Sequence, residues 1–67
     1  MVITLEGITN KGKHRVKQYG NQWKIIKEQD YVHFTPEKGP WLFIVAGGHD
    51  NSSRWINKTN DINFIIK

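Results

Sequence analysis

A run of positively charged side chains lies close to the first tryptophan of the chain, and its spacing suits the binding of an anion. Every second position from 11 to 17 holds a cation, and a tyrosine continues the series: Lys11, Lys13, Arg15, Lys17 and Tyr19. In a β-strand, alternate side chains share a face and lie about 7 Å apart along it. If this stretch is extended, its charged groups form a ladder that can follow successive phosphates of a nucleic acid.

The same spacing has a second interpretation that involves no ligand. Small domains often place lysines on exposed edge strands, where the charge discourages pairing with another chain. Asn10-Lys11-Gly12 then forms a turn, and His14 to Tyr19 forms the edge strand, with Val16 on the opposite side from Arg15. Both interpretations predict an extended segment.

The positive charge belongs to the first part of the chain. The formal net charge is +4, and residues 1 to 27 contain six Lys or Arg against the single acid Glu6, whereas residues 28 to 67 contain four against five acids. Such an asymmetry indicates an anionic partner, whether nucleic acid, an acidic protein or a lipid surface. A modest excess of charge also promotes solubility without any partner.

Aromatic rings beside cations are the second feature typical of nucleic-acid sites, because bases stack on the rings while cations follow the phosphates. Trp41 leads an apolar run and is expected in the core, and Trp23 is favoured as a core residue too, whereas the pattern leaves Trp55 open. The candidate nucleic-acid site comprises ten residues: Lys11, Lys13, His14, Arg15, Lys17, Tyr19, Trp23, Lys24, Arg54 and Trp55.

Catalytic and metal-binding patterns do not stand out. The three histidines lack the paired spacing of a metal site, and the chain has no cysteine. Ser52 and Ser53 have only His49 and Asp50 nearby, and local proximity in a loop does not make a catalytic triad. Gly47-Gly48 is not followed by the Lys-Ser/Thr of a phosphate-binding loop. We therefore expect no enzyme activity, no metal and no cofactor.

The length predicts a single domain over residues 1 to 67, near the lower limit for a chain that folds without disulfides or metals. The longest apolar run, Trp41 to Ala46, is far shorter than the roughly 20 residues that span a bilayer. The N-terminus does not have the pattern of a signal peptide. We expect no membrane partner and a cytoplasmic location, which is the host cytoplasm if the protein is viral.

Short segments separated by turn signals predict a β fold. The expected strands cover residues 1 to 8, 14 to 19, 23 to 32, 41 to 46, 54 to 58 and 62 to 67. A helix over residues 22 to 32 is the alternative for the third segment, and residues 41 to 46 are apolar on both faces, as in a central strand covered on both sides. Loops are expected at residues 35 to 40 and 47 to 53, with a tight turn at residues 59 to 61.

Five or six such strands predict an all-β, antiparallel small barrel, and their order resembles the SH3-like barrel; a minimal OB-like barrel is the alternative. Peptide-binding SH3 domains carry an ALYDY-type arm and an acidic cluster, whereas the arm HRVKQYG is basic here. This is more similar to SH3-like modules that meet nucleic acid or ribosomal RNA. The segment GKHRVKQYGNQW also resembles small uncharacterised tailed-phage proteins.

These features favour a small, basic, non-enzymatic module that binds DNA or RNA with low sequence specificity. The alternative is a protein-interaction adaptor, for example a phage-encoded one, that docks on an acidic partner surface. A structural or assembly domain is the third hypothesis and predicts oligomers. The sequence leaves the oligomeric state and the choice between DNA and RNA open.

Overall fold

The computed structural model describes all 67 residues and contains five strands and one helix. In chain order these are β1 (Val2–Gly7), α1 (Asn10–Tyr19), β2 (Gln22–Gln29), β3 (Trp41–Ala46), β4 (His49–Asn57) and β5 (Phe64–Ile66). The strands form an antiparallel sheet in the order β4-β3-β2-β1-β5, curled into a half-barrel. The predicted class, a small antiparallel barrel of SH3-like or OB-like type, is confirmed.

The curl of the sheet arises at β1, which changes partner halfway along its length. Its first half, from Val2 to Thr4, pairs with β2, and its second half, from Leu5 to Gly7, pairs with β5. The two edge strands β4 and β5 consequently approach each other. The guanidinium carbon of Arg54 on β4 lies 4.9 Å from the ring centroid of Phe64 on β5.

The core fills the inner side of this curled sheet. It consists of seven buried residues: Leu5, Trp23, Leu42, Ile44, Ala46, Ile56 and Phe64. Trp23 is fully buried, and its indole Nε1 donates a hydrogen bond to the carbonyl oxygen of Gly20 at 2.9 Å. The preference for Trp23 as a core residue is thus confirmed.

Trp41 is buried as expected, but outside the core cluster. It lies on the outer side of the sheet, where the loop between β2 and β3 covers it. The ring of Phe34 packs edge-on at 5.5 Å, and the indole Nε1 donates to the carbonyl oxygen of Glu37 at 2.9 Å. Further along β3, Phe43 and Val45 are partly exposed. Both faces of β3 were expected to be covered along the whole strand, but the outer face is covered only at its first residue, Trp41.

The segment predicted to be extended, residues 14 to 19 after a turn at residues 10 to 12, is instead the helix α1. Thr9 caps its N-terminus, because the hydroxyl accepts a hydrogen bond from the backbone N–H of Gly12 at 3.0 Å. Gly20 ends the helix with φ 91°, and its N–H donates to the carbonyl oxygen of Val16 at 2.7 Å. The prediction that the alternating cations form a single ladder along a strand was therefore wrong.

The polar loop expected at residues 47 to 53 is mostly strand. Gly47 and Gly48 form a two-residue turn, with Gly48 at φ 79°, and β4 begins at His49. The buried hydroxyl of Ser52 donates to the carbonyl oxygen of His49 at 2.6 Å and accepts from the N–H of Ala46 at 2.8 Å, which stabilises this hairpin.

The remaining segments agree with expectation except at their ends. Residues 22 to 29 are strand rather than helix, residues 35 to 40 contain no helix or strand, and a turn occupies residues 58 to 60. The last strand is shorter than predicted. The only helix is too short and too polar to cross a lipid bilayer.

Candidate nucleic-acid interface

The position of α1 is determined by Asn63, which lies just before β5. Its backbone oxygen accepts from the N–H of Ile8 at 2.9 Å, and its Oδ1 accepts from the hydroxyl of Thr9 at 2.7 Å. A Cβ atom on Gly12 would lie 2.1 Å from the same backbone oxygen, so glycine permits this close approach. The start of the helix is therefore held against the end of the sheet.

Three residues of α1 face the barrel, at the helical spacing i, i+4 and i+7. Gly12 is buried, and Val16 and Tyr19 pack against the core cluster. The remaining surface of the helix is polar. Lys11, Lys13, His14 and Lys17 are exposed, and Arg15 is half-buried.

The helix divides the predicted ladder into two flanks. Successive helical residues are rotated by about 100°, so that residues four apart are neighbours on one side. Lys13 and Lys17 form one such pair and face β1, where both line a groove. Lys11 and Arg15 form the other pair, and Arg15 lies on the side of β4, near Arg54.

The groove beside β1 is positively charged. It has a volume of about 450 Å³, and the residues that line it include Lys13, Lys17, Lys67, Glu6 and Asn21. Glu6 forms an ion pair with Lys67 at 3.2 Å, which leaves the two helix lysines without a carboxylate partner. An anionic ligand in this groove would meet their unneutralised charge.

Arg54 and Arg15 create a second concentration of positive charge. The guanidinium of Arg54 is half-buried over the ring of Phe64, and its Nε atom is buried without a hydrogen-bond partner. Burial and the nearby charge of Arg15 lower the pKa of Arg54. The negative charge of Asp61 raises this pKa, but by less.

Asp61 does not form an ion pair with either arginine, because backbone groups occupy its carboxylate. One oxygen accepts from the N–H of Asn57 at 3.3 Å, and the other accepts from the N–H groups of Asn63 and Phe64 at 3.0 and 3.2 Å. The two guanidinium groups are therefore left without a counterion at ion-pair distance. A bound anion would relieve their repulsion.

Two aromatic members of the predicted site are not free for stacking. Trp23 is fully buried and offers no surface to a ligand, so its assignment to the interface is corrected. Tyr19 is half-buried, and its ring packs edge-on against Trp23 at 6.2 Å and against His49 at 5.4 Å. Trp23 belongs to the core cluster and Tyr19 packs against it, so both rings take part in the packing of the barrel.

The two remaining members, Lys24 and Trp55, lie on the outer face of the sheet. Directly opposed residues of antiparallel strands point to the same side. Phe43 is opposed by Trp55 on one side and by Lys27 on the other, whereas Lys24 is opposed by Val45. Since Phe43 and Val45 are two residues apart, all five side chains share this face. The helix packs on the other one.

Phe43, Lys27 and Lys67 were missing from the predicted site. Phe43 packs against Trp55, with ring centroids 5.1 Å apart and planes at 50°. Every residue of β3 is apolar, so the sequence pattern did not indicate that Phe43 lies on the less covered face. An apolar run of this kind predicts a strand that is covered on both sides.

In comparisons with known proteins, no protein-family model, no curated protein and no solved structure matches this chain. No three His, Asp or Glu side chains come together in a group that could hold a metal ion.

Proposed function

We propose that this protein is a non-enzymatic module that binds nucleic acid with low sequence specificity, with α1 as its main contact with phosphates. The observation that carries the proposal is the charge of α1. Its ten residues include four Lys or Arg and one His, and no acid. Of the ten Lys and Arg side chains in the molecule, only Lys67 forms an ion pair, which leaves nine without one.

Phosphate is the ligand that matches both flanks of the helix. A nucleic-acid backbone presents a negative charge at each nucleotide, so one molecule can engage the groove lysines and the Arg15–Arg54 pair together. Contacts of this type position a ligand without reading its sequence. The proposed partners therefore include both DNA and RNA, in the cytoplasm.

A pair of substitutions tests the role of α1. We expect K13Q/K17Q to weaken binding of an oligonucleotide about tenfold at low salt, because each lysine engages a phosphate. The slope of log K against log salt should become shallower by about 1.4 for single strands, or 0.7 for each contact. Fluorescence anisotropy over a salt series measures both quantities.

The matched control is K38Q/K58Q, which also removes two positive charges from the formal net charge of +4. Lys38 and Lys58 are exposed and lie outside α1 and its groove. Their replacement should leave the salt slope nearly unchanged. Equal losses in the two variants would show that net charge alone governs binding, and absence of binding to any oligonucleotide at low salt would refute the proposal.

Docking on an acidic protein surface is the second candidate, and the Arg15–Arg54 pair favours it, because guanidinium groups bind carboxylates in a bidentate geometry. The phage-encoded adaptor suggested by the sequence resemblance belongs to this class. Competition by heparin separates the two candidates. A general polyanion displaces nucleic acid, whereas a specific adaptor retains one acidic protein in its presence.

A further inference from the structure

The outer face of the sheet carries aromatic side chains that are partly exposed to solvent. The core and α1 occupy the inner side, and the loop between β2 and β3 covers the outer side only at Trp41. Phe43, Val45 and Trp55 remain partly exposed beyond that loop. Of the three tryptophans, Trp55 is the only one that is not buried.

The charged side chains of β2 that share this outer face are both positive. Lys27 is directly opposite Phe43, and Lys24 is opposite Val45, two residues further along β3. The only acid of β2 and β3, Glu28, is opposed by the core residue Leu42 and points to the inner side. The aromatic pair is thus flanked by exposed lysines without an intervening carboxylate.

The outer face is also continuous with the lysine groove of α1. Thr4 lines that groove and is opposed by Gln22, whose amide donates to the Thr4 hydroxyl at 3.0 Å. Lys24 lies two residues after Gln22, on the same side of β2. Neighbouring strands are about 4.8 Å apart, so Lys24 lies close to the groove.

We propose that this face binds single-stranded nucleic acid, with bases stacked on Phe43 and Trp55 and phosphates at Lys24 and Lys27. The proposal rests on the proposed function and specifies its ligand. Every base has a π face, so stacking requires no particular sequence, but a duplex conceals those faces within its own stack. The protein should therefore prefer a single strand to a duplex of the same length.

The test compares a labelled 12-nucleotide oligo-dT strand with a 12-base-pair duplex. We expect F43L/W55L to lower the affinity for the single strand about tenfold, and to leave duplex binding and both salt slopes unchanged. Oligo-dT should also quench Trp55 fluorescence in the native protein. The matched control is Y31L, which removes an exposed aromatic ring from the loop between β2 and β3.

A conservative variant separates stacking from folding. W55F keeps an aromatic ring at this position and should retain most of the affinity, whereas W55L should not. Circular dichroism identifies any variant that has lost the fold. If F43L/W55L or W55L is unfolded, the single variant F43L takes its place in the binding experiment. Loss of affinity in W55F equal to that in W55L would overturn the stacking role.

The outcomes distinguish the two proposals. If the native protein binds neither oligonucleotide, the proposed function itself fails. If it binds both equally and F43L/W55L changes neither affinity, the stacking surface is wrong while the role of α1 stands. Analytical sedimentation tests whether a second copy of the chain covers this face instead. If the native protein is a dimer and F43L/W55L is a monomer with unchanged affinity for oligo-dT, the face is a dimer interface.

Discussion

Arg54 combines three features that each disfavour its charged form. Its side chain is half-buried, its Nε atom has no hydrogen-bond partner, and Arg15 is nearby. An unsatisfied buried donor typically costs about 1–3 kcal/mol, and the contact with the ring of Phe64 offsets part of that. Arg54 therefore contributes little to the stability of the fold.

Replacement of Arg54 by methionine should accordingly stabilise the protein. R54M keeps a long apolar side chain over Phe64 and removes both the charge and the unsatisfied donor, so we expect the free energy of unfolding to rise by about 1 kcal/mol. The same variant should bind nucleic acid more weakly. Urea denaturation and anisotropy measure the two effects.

A double-mutant cycle with R15Q serves as the control. Removal of the Arg15 charge should stabilise the native protein by a few tenths of a kcal/mol, and by less in the R54M background, where no repulsion remains. A destabilised R54M would show that the cation–π contact with Phe64 outweighs the cost of burial.

The tryptophans show how far single residues can be predicted. Trp41 was assigned to the interior because it leads an apolar run, and Trp23 because a small barrel has few large side chains with which to fill it; both are buried. Trp55 could not be assigned, since its exposure depends on how much of the outer face the loop between β2 and β3 covers. That loop reaches Trp41 but not Trp55.

At the level of elements, α1 is the feature that the sequence pattern predicted wrongly. Cations at every second position suggested a strand. Lysine side chains can be exposed on helices, strands and loops alike, so their spacing carries little information about secondary structure. The informative residues were Thr9 before the segment, Gly20 after it, and the spacing of Gly12, Val16 and Tyr19. The contact that fixes the helix, from Thr9 to Asn63, spans 54 residues and was beyond local reasoning.

The dependence of α1 on a close backbone approach can be tested at Gly12. Alanine in a helix is favoured over glycine by about 1 kcal/mol, but its Cβ would lie 2.1 Å from the backbone oxygen of Asn63. We expect the clash to prevail and G12A to lower the free energy of unfolding by about 1–3 kcal/mol, as measured by urea denaturation.

Gly47 provides the matched control for this substitution. It lies in the exposed β3–β4 turn, where an added Cβ meets no atom within 4 Å. G47A should change stability by less than about 0.5 kcal/mol. A G12A protein as stable as G47A would mean that α1 can move away from Asn63 at no cost.

At the scale of the whole molecule, the fold class was predictable and the charge distribution in space was not. Short strands, turn signals and length restrict so small a chain to a few antiparallel barrels. The partition of cations over two flanks and an outer face depended on the helix and on the register of β2, and that register is not encoded in local spacing. The consequence is a molecule with positive charge on several sides and one ion pair.

Such a molecule should become more stable as salt is added. Repulsion among unpaired cations opposes the compact state, and ions screen it. We expect the free energy of unfolding to rise by a few tenths of a kcal/mol between about 20 and 200 mM NaCl, and by less in K13Q/K17Q. A decrease with salt in thermal or urea unfolding would indicate that attractive pairs dominate instead.

The contacts of Asn63 couple two parts of the chain that lie far apart in sequence. β5 is a ladder of only three residue pairs, and the hydrogen bonds from Ile8 and Thr9 both end on the residue before it. Detachment of β5 together with Asn63 would remove those bonds and part of the support of α1, while Val16 and Tyr19 would still pack on the core. We therefore expect opening of the C-terminal strand to loosen the start of the basic helix, so that a ligand bound to the helix would also slow the exchange of the β5 amides with solvent.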